Sequence, residues 1–243
     1  MTTTPPVQFE PIKPSSASDL VFEAMRSAIF SGTLQPGDAL REIHLARELK
    51  VSQATVREGL LQLECAHLAV RVPNKGTYVV ALSPSEIHER CIVRTHLEQH
   101  AAIEAAARLS PEEFDILQQR AEEISRLTSE NAYYEVEKVD LEFHRFIWQK
   151  SGNTLLSRIL EQVTMPLFAY ICVCRSRSRT NLTAVVRPHE PLVAALRSRE
   201  DQAIAEAVRE HIELSYGRYI SSDETGSQKL PRRAEAAIDG SRK

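Results

Sequence analysis

Val51-Ser52-Gln53-Ala54-Thr55-Val56-Arg57-Glu58-Gly59-Leu60 is the stretch on which the reading of this chain turns. Ser52 is a good helix N-cap, because its hydroxyl can accept one of the backbone N–H groups that a helix start leaves unpaired. Behind it Val56, Leu60, Leu61 and Leu63 form an apolar stripe, leaving Gln53, Thr55 and Arg57 to face outward. Short polar donors and an arginine on an exposed first turn are suited to base edges and phosphates. The flanks agree. Residues 16–19 open a first helix with Leu20, Ala24, Ala28 and Ile29 at helical spacing, ended by Gly32 and the turn Gln35-Pro36-Gly37-Asp38. A second short helix spans about Glu42–Leu49, with Ile43, Leu45, Ala46 and Leu49 as its apolar side. Two short helices with a tight link form a helix-turn-helix whose second helix is the reader. Residues 69–72 and 77–80 are β-prone and flank Pro73-Asn74-Lys75-Gly76, a hairpin or wing with a basic tip.

The pattern Gly32-x-Leu34-x-Pro36-Gly37-x-x-Leu40-x-Glu42, then Leu45-Ala46, then Val51-Ser52-x-x-x-Val56-Arg57-Glu58-x-Leu60-x-x-Leu63, then Lys75-Gly76, resembles the winged helix-turn-helix of the GntR family of bacterial regulators. It covers about residues 16 to 82. The expected DNA-facing set is Arg41, Ser52, Gln53, Thr55, Arg57, Lys75 and Gly76. Arg47, Lys50 and Arg71 are further cations nearby, and Arg71 reads equally well as a solvated surface charge. Many relatives carry Arg where this chain has Gln53, and Gly where it has Lys50 and His67. Gln53 can still read an adenine edge, which points to a different operator preference. His67 is then expected to take a left-handed conformation that Gly adopts more easily.

The chain has 243 residues, long enough for two compact domains, with 42% hydrophobic and 26% charged residues. No run approaches the ~18 apolar residues of a membrane span, and no apolar leader segment opens the sequence. Cys65, Cys91, Cys172 and Cys174 show no disulfide framework, so a reducing cytoplasm is expected. Cys172-Val-Cys174 could bind metal but reads more naturally as inert helical core. A net charge of −3 lacks the bulk basicity of a nonspecific nucleic-acid binder, so cationic charge must be concentrated locally.

Ser83-Pro84-Ser85-Glu86 places an N-cap, a Pro at N1 and a Glu at N3 in order, opening a long helix to about Arg108. Ser110-Pro111-Glu112-Glu113 repeats the signal for a helix to about residue 127. Further helices are expected over about Tyr133–Lys150, from near Asn153 with a kink or split at Pro166, over 188–197 and over 200–220. The fold class is mainly α: a winged helix-turn-helix at 16–82, then an antiparallel bundle of about six helices at 83–222. Residues 1–15 and 223–243 are expected to be disordered, being rich in Pro, Ser and charge. The run Arg175-Ser-Arg177-Ser-Arg179 reads as an exposed loop between helices.

Asp140 and His144 share one helix face at i,i+4, His189 opens the next-to-last helix, and His211 sits within the last. A bundle core can bring such groups around one divalent ion, Zn, Ni or Mn, although an Asp-x-x-x-His pair alone is more often a surface ion pair. The second half resembles the FCD effector domain of the FadR subfamily, whose metal-bearing members place an Asp and three His in this order. That resemblance implies a metal at Asp140, His144, His189 and His211, a small carboxylate effector beside it, and a homodimer. Arg94 matches a stretch whose Arg often reaches the effector cavity; it could instead pair with Glu98 on the helix surface. Asn153 is a weaker effector candidate, since capping the next helix explains it. His96 and His100 are also i,i+4, but no third ligand accompanies them.

The expected function is therefore a transcriptional regulator, a repressor, binding a palindromic double-stranded operator under control of a small organic acid, without a membrane anchor. The alternative is a metal-dependent hydrolase with a helical catalytic domain. That reading needs a general base near the metal and a reaction-specific motif, and the sequence offers neither; Glu142 falls on a different helix face from Asp140 and His144.

Overall fold

A computed structural model describes residues 16–177 and 179–220. The arm and tail expected to be disordered lie outside the described residues. The N-terminal elements are α1 (Ala17–Phe30), β1 (Ala39–Leu40), α2 (Glu42–Leu49), α3 (Gln53–Cys65), β2 (Ala69–Val72) and β3 (Gly76–Val79). Ser16 caps α1 in a reciprocal box: its hydroxyl accepts from the Asp19 N–H, and the Asp19 carboxylate accepts from the Ser16 N–H. The buried stripe of α1 is Val21, Met25 and Ile29. Leu20 and Ala24, expected to line it, are exposed, because the face that meets α3 lies one residue further along. Leu61 and Ile43 are likewise solvent-facing rather than core, at 57% and 54% exposure. Helix α3 buries the face of Val56, Leu60 and Leu63.

Gly59 lies where α3 crosses α1. A Cβ there would meet Val21 Cγ1 at 2.6 Å and the Ser18 carbonyl oxygen at 3.2 Å. Gly59→Ala should gain up to about 1 kcal/mol of helix propensity and lose more to overpacking, typically about 1–3 kcal/mol. A lower denaturation midpoint for the full chain is expected in urea; an unchanged or raised one would refute this close approach.

The wing pairs Val72 with Gly76 across a three-residue turn, with Asn74 at φ 62° and Gly76 at φ 110°. Left-handed backbone at such a turn suits Asn and Gly. The sheet has a third strand that the sequence reading lacks: β1 pairs antiparallel with β3, giving the order β1-β3-β2. At two residues, β1 is too short to show an alternating pattern. Lys50 ends α2 at φ 54°, and His67 follows α3 at φ 57°, the left-handed conformation expected for His67.

Among the described residues six α-helices follow: α4 (Pro84–Arg108), α5 (Pro111–Ser129), α6 (Tyr133–Lys150), α7 (Thr154–Arg177), α8 (Glu190–Ser198) and α9 (Asp201–Ile220). Capping boxes at Ser83 and Ser110 start α4 and α5 as the sequence indicates. Helix α7 runs through Pro166 unbroken, contrary to the expected split. Proline has no N–H for the Gln162 carbonyl, and Arg90 Nη1 donates to the Gln162 and Val163 oxygens instead, at 3.5 and 3.3 Å. α7 also absorbs Arg175, placing it in the interior rather than in an exposed loop. Among the described residues one helix, Thr154–Ser176, is long and apolar enough by composition to cross a membrane, which the sequence reading does not anticipate; it is mostly buried, packed against α4, α6 and α1.

The hydrophobic interior has two centres. One lies within the bundle, around Ile87, Leu117, Phe143, Leu167 and Leu196. The other joins the reader to the bundle, packing Met25, Ile29 and Phe30 with Trp148, Met165, Phe168 and Cys172. Tyr134 meets Phe30 edge-on at 6.0 Å, and the buried Cys172 thiol donates to the Phe30 carbonyl. α1 and α7 are therefore neighbours.

Candidate DNA-reading face and metal centre

Ser52 begins α3 in extended conformation, and its Oγ accepts the Thr55 N–H at 3.1 Å. Gln53 and Arg57 are exposed on that helix; Arg41, Lys75 and Gly76 are exposed nearby in sequence or on the wing. The Tyr78 hydroxyl donates to the Lys75 carbonyl and ties down the wing turn. Arg57 is not a freely waving cation. Its Nε and Nη2 donate to the two Glu42 oxygens at 3.1 and 2.8 Å, a fork that fixes the guanidinium at the exposed side of α3. Both residues belong to the motif read from sequence, yet fifteen positions separate them, so their pairing becomes visible only in the fold.

In the bundle, Asp140 and His144 lie on one face of α6, His189 caps α8, and His211 sits on the inner side of α9. One ligand atom from each falls within 4.8 Å of all the others. The imidazole centroids are 4.6–5.6 Å apart. Asp140 Oδ1 lies 3.0 Å from His189 Nε2 and 3.2 Å from His144 Nε2. His144 Nε2 and His189 Nδ1 are buried without a well-formed hydrogen bond. Leaving such groups unpaired is costly, and coordination of a divalent ion by imidazole and carboxylate would use lone pairs of this kind. The donor set fits Zn, Ni or Mn.

The protonation states of His211 and Asp140 favour ligation, whereas, against the effect of burial, the Glu98 charge raises the His144 pKa. Burial, joined by the charges of His189 and His144, holds the His211 pKa well below the usual histidine range, so its ring stays neutral. Burial alone would raise Asp140, but the facing imidazoles, His189 foremost, keep the carboxylate well below its ordinary range.

Sequence reasoning missed Glu98 as part of this centre. Its carboxylate accepts from His144 Nδ1, which leaves Nε2 as the ring atom available to an ion. A carboxylate behind a histidine is the usual device for fixing the ring and its tautomer. Glu98 also receives Arg94 Nε at 2.7 Å. Thus Arg94 does pair with Glu98, but in the interior: Arg94 is 1% exposed, not on the helix surface. Its Nη1 donates to the Tyr216 hydroxyl at 2.9 Å, and its Nη2 has no hydrogen-bond partner among the described residues.

Arg94, Glu137, Arg175 and Tyr216 border the cavity formed with the histidine cluster. Arg175 Nη1 donates to Glu137, and burial raises the Glu137 pKa although Arg175 opposes the shift. The cavity is about 10 Å3, room for one water or ion. Asn153 is absent from this lining. It is exposed, and its Oδ1 accepts the Leu156 N–H at 3.0 Å, so capping accounts for it. His96 and His100 are exposed, away from the cluster.

Residues 17–79 match the family described as bacterial regulatory proteins, gntR family, and residues 90–214 match the FCD domain. The chain belongs to the GntR family and carries an FCD domain; it is a transcriptional regulator. Among its relatives, the HTH-type regulator YdhC of Bacillus subtilis is 24% identical over 191 residues, covering 78% of this chain and 85% of that protein. McbR of Escherichia coli is 23% identical over 197 residues, 77% of this chain and 87% of the relative. The fold matches the solved E. coli McbR/YncC structure with a TM-score of 0.68 at 20% identity, over 86% of this chain and 99% of that one. A GntR regulator from Rhodococcus sp. RHA1 also gives 0.68 at 20% identity, over 84% and 98%. None of this supports the hydrolase alternative.

Proposed function

We propose that this regulator is a homodimeric repressor whose α3 helices and wings bind a palindromic operator, and that a small carboxylate entering the FCD cavity releases it. The reading assigns residues 16–82 to DNA binding and 83–222 to effector binding and dimerisation, in a cytoplasmic protein. Asp140, His144, His189 and His211 would hold a divalent ion, Zn, Ni or Mn. When bound, the ion supplies a Lewis-acidic position for a ligand oxygen, and Arg94 is placed to grip a carboxylate through its unpartnered Nη2. The observation that carries this reading is the burial of three imidazoles and a carboxylate within 4.8 Å, with ring nitrogens left unpaired.

A cavity of about 10 Å3 admits an organic acid only if a wall moves. Helix α7 lends Phe168, Ile171 and Arg175 to that cavity, while its Met165, Phe168 and Cys172 pack with α1. Displacing α7 therefore disturbs the seat of the reader, a differential contact of the kind that shifts a two-state equilibrium. On the output side, Arg57→Ala should weaken operator binding roughly 10- to 100-fold with the thermal midpoint nearly unchanged. Unaltered operator affinity in a mobility-shift titration at fixed salt would remove α3 from the DNA interface.

A further inference from the structure

A second cavity, about 330 Å3, opens where the winged region meets the bundle. Val72, Pro73, Val80, Leu82 and Pro166 give it apolar walls, and His67, Arg71, Glu86 and Arg90 supply its charged and titratable groups. Its volume lies in the range of small-molecule sites, and sites at domain junctions are common. It is separate from the histidine cluster, and no residue is shared between the two linings.

Two observations point to an anionic ligand. Arg90 is half-buried against Pro166 and spends only Nη1 on the carbonyls of Gln162 and Val163. Its Nε and Nη2 have no acceptor among the described residues; the Glu86 charge acts on it from one turn away, but no described carboxylate comes within ion-pair distance of it. Glu86, the acidic group of the cleft, is already engaged: its Oε2 accepts the Ser83 N–H at 2.9 Å and hydroxyl at 2.8 Å. The second observation is His67. It holds φ 57°, a backbone region that Gly adopts most easily, and its imidazole borders the same cleft. Burial, with the Arg90 charge adding to it, lowers the His67 pKa, so the ring is a neutral hydrogen-bond partner.

We propose that this junction cleft is a second ligand site, taking a small carboxylic acid with a bulky apolar body, its carboxylate held by Arg90 and His67 and its apolar part between Val72, Val80 and Pro166. Such a ligand touches β2, the exit of β3, α4 and α7 together, and so braces the reader against the bundle. The proposal is independent of the metal centre.

The test is calorimetric titration of the full chain with 1-naphthoate and its neutral counterpart 1-naphthamide, in the parent and in His144→Ala. Naphthoate should bind one-to-one with little change in His144→Ala, and naphthamide at least 10-fold more weakly. Arg90→Gln, which keeps an amide donor for the α7 carbonyls, should weaken naphthoate binding at least 10-fold while Ni2+ binding at the histidine cluster persists. His67→Gly should raise the thermal midpoint by relieving the left-handed backbone yet lower naphthoate affinity, a pairing that a purely structural residue does not give. Absence of naphthoate binding to the parent, loss of all binding in His144→Ala, or equal affinity in Arg90→Gln and His67→Gly would each overturn the assignment.

Discussion

His144→Ala should lower divalent-metal affinity more than ~100-fold, because one of four protein ligands goes and water must take its place on the ion. The chain offers its own reporter. Trp148 is its single tryptophan, buried one helical turn from His144 with ring centroids 6.2 Å apart. Ni2+ should quench its fluorescence in the parent at stoichiometric concentration and leave His144→Ala bright. Glu98→Gln should fall between them, roughly 10- to 100-fold weaker than the parent, as expected for a group that orients a ligand rather than binding the ion. If the parent shows neither quenching nor metal retained after purification without chelator, the four-residue centre does not bind metal. Because α6 carries both Trp148 and two of the ligands, local unfolding could mimic a loss of affinity. The far-ultraviolet spectrum of His144→Ala, expected to match the parent, separates the two.

Helix starts were legible because their chemistry is local. Ser16 with Asp19, Ser83 with Glu86 and Ser110 with Glu113 each place both partners of a capping box within four residues. Faces were harder to read. In α1 the sequence offers Leu20 and Ala24 as readily as Val21 and Met25, and only the crossing with α3 at Gly59 decides between them. The same holds for Pro166, whose disruptive tendency is offset by Arg90 from a different helix, 76 positions away. At the histidine cluster the four candidate ligands followed from residue type and order together with the family resemblance. Their surroundings did not. An arginine and a glutamate at i,i+4 ordinarily mark a solvated helix face, and Arg94 with Glu98 looks no different in sequence. Their burial depends on α7 and α9 covering α4, with Phe168 and Tyr216 packed against the guanidinium. Arg175 differs from its sequence appearance for the matching reason: three arginines alternating with serines look solvated, but Glu137 lies beside the first in the interior.

Arg94→Met is expected to be the most damaging single change to stability among those considered. The methionine replaces much of the volume but strands the Glu98 carboxylate in the interior, where breaking a buried pair typically costs about 3–5 kcal/mol. The same microenvironment sets the sign of a second substitution. Arg94 and His144 together keep the buried Glu98 well below the ordinary carboxylate range, against the opposing effect of burial. Once Arg94 is gone, His144 alone faces that charge, so neutralising Glu98 should relieve the protein rather than harm it further. Arg94→Met/Glu98→Gln should accordingly recover more than half of the lost stability in urea titrations, a coupling that separate additive losses would not produce. Failure to recover would mean that Arg94 stabilises chiefly by packing on Phe168 and Tyr216. The double variant also separates architecture from recognition: restored folding without the guanidinium should leave operator binding intact and the response to carboxylates lost. A double variant that still released operator on carboxylate addition would take Arg94 out of the effector site, whatever its part in holding the bundle together.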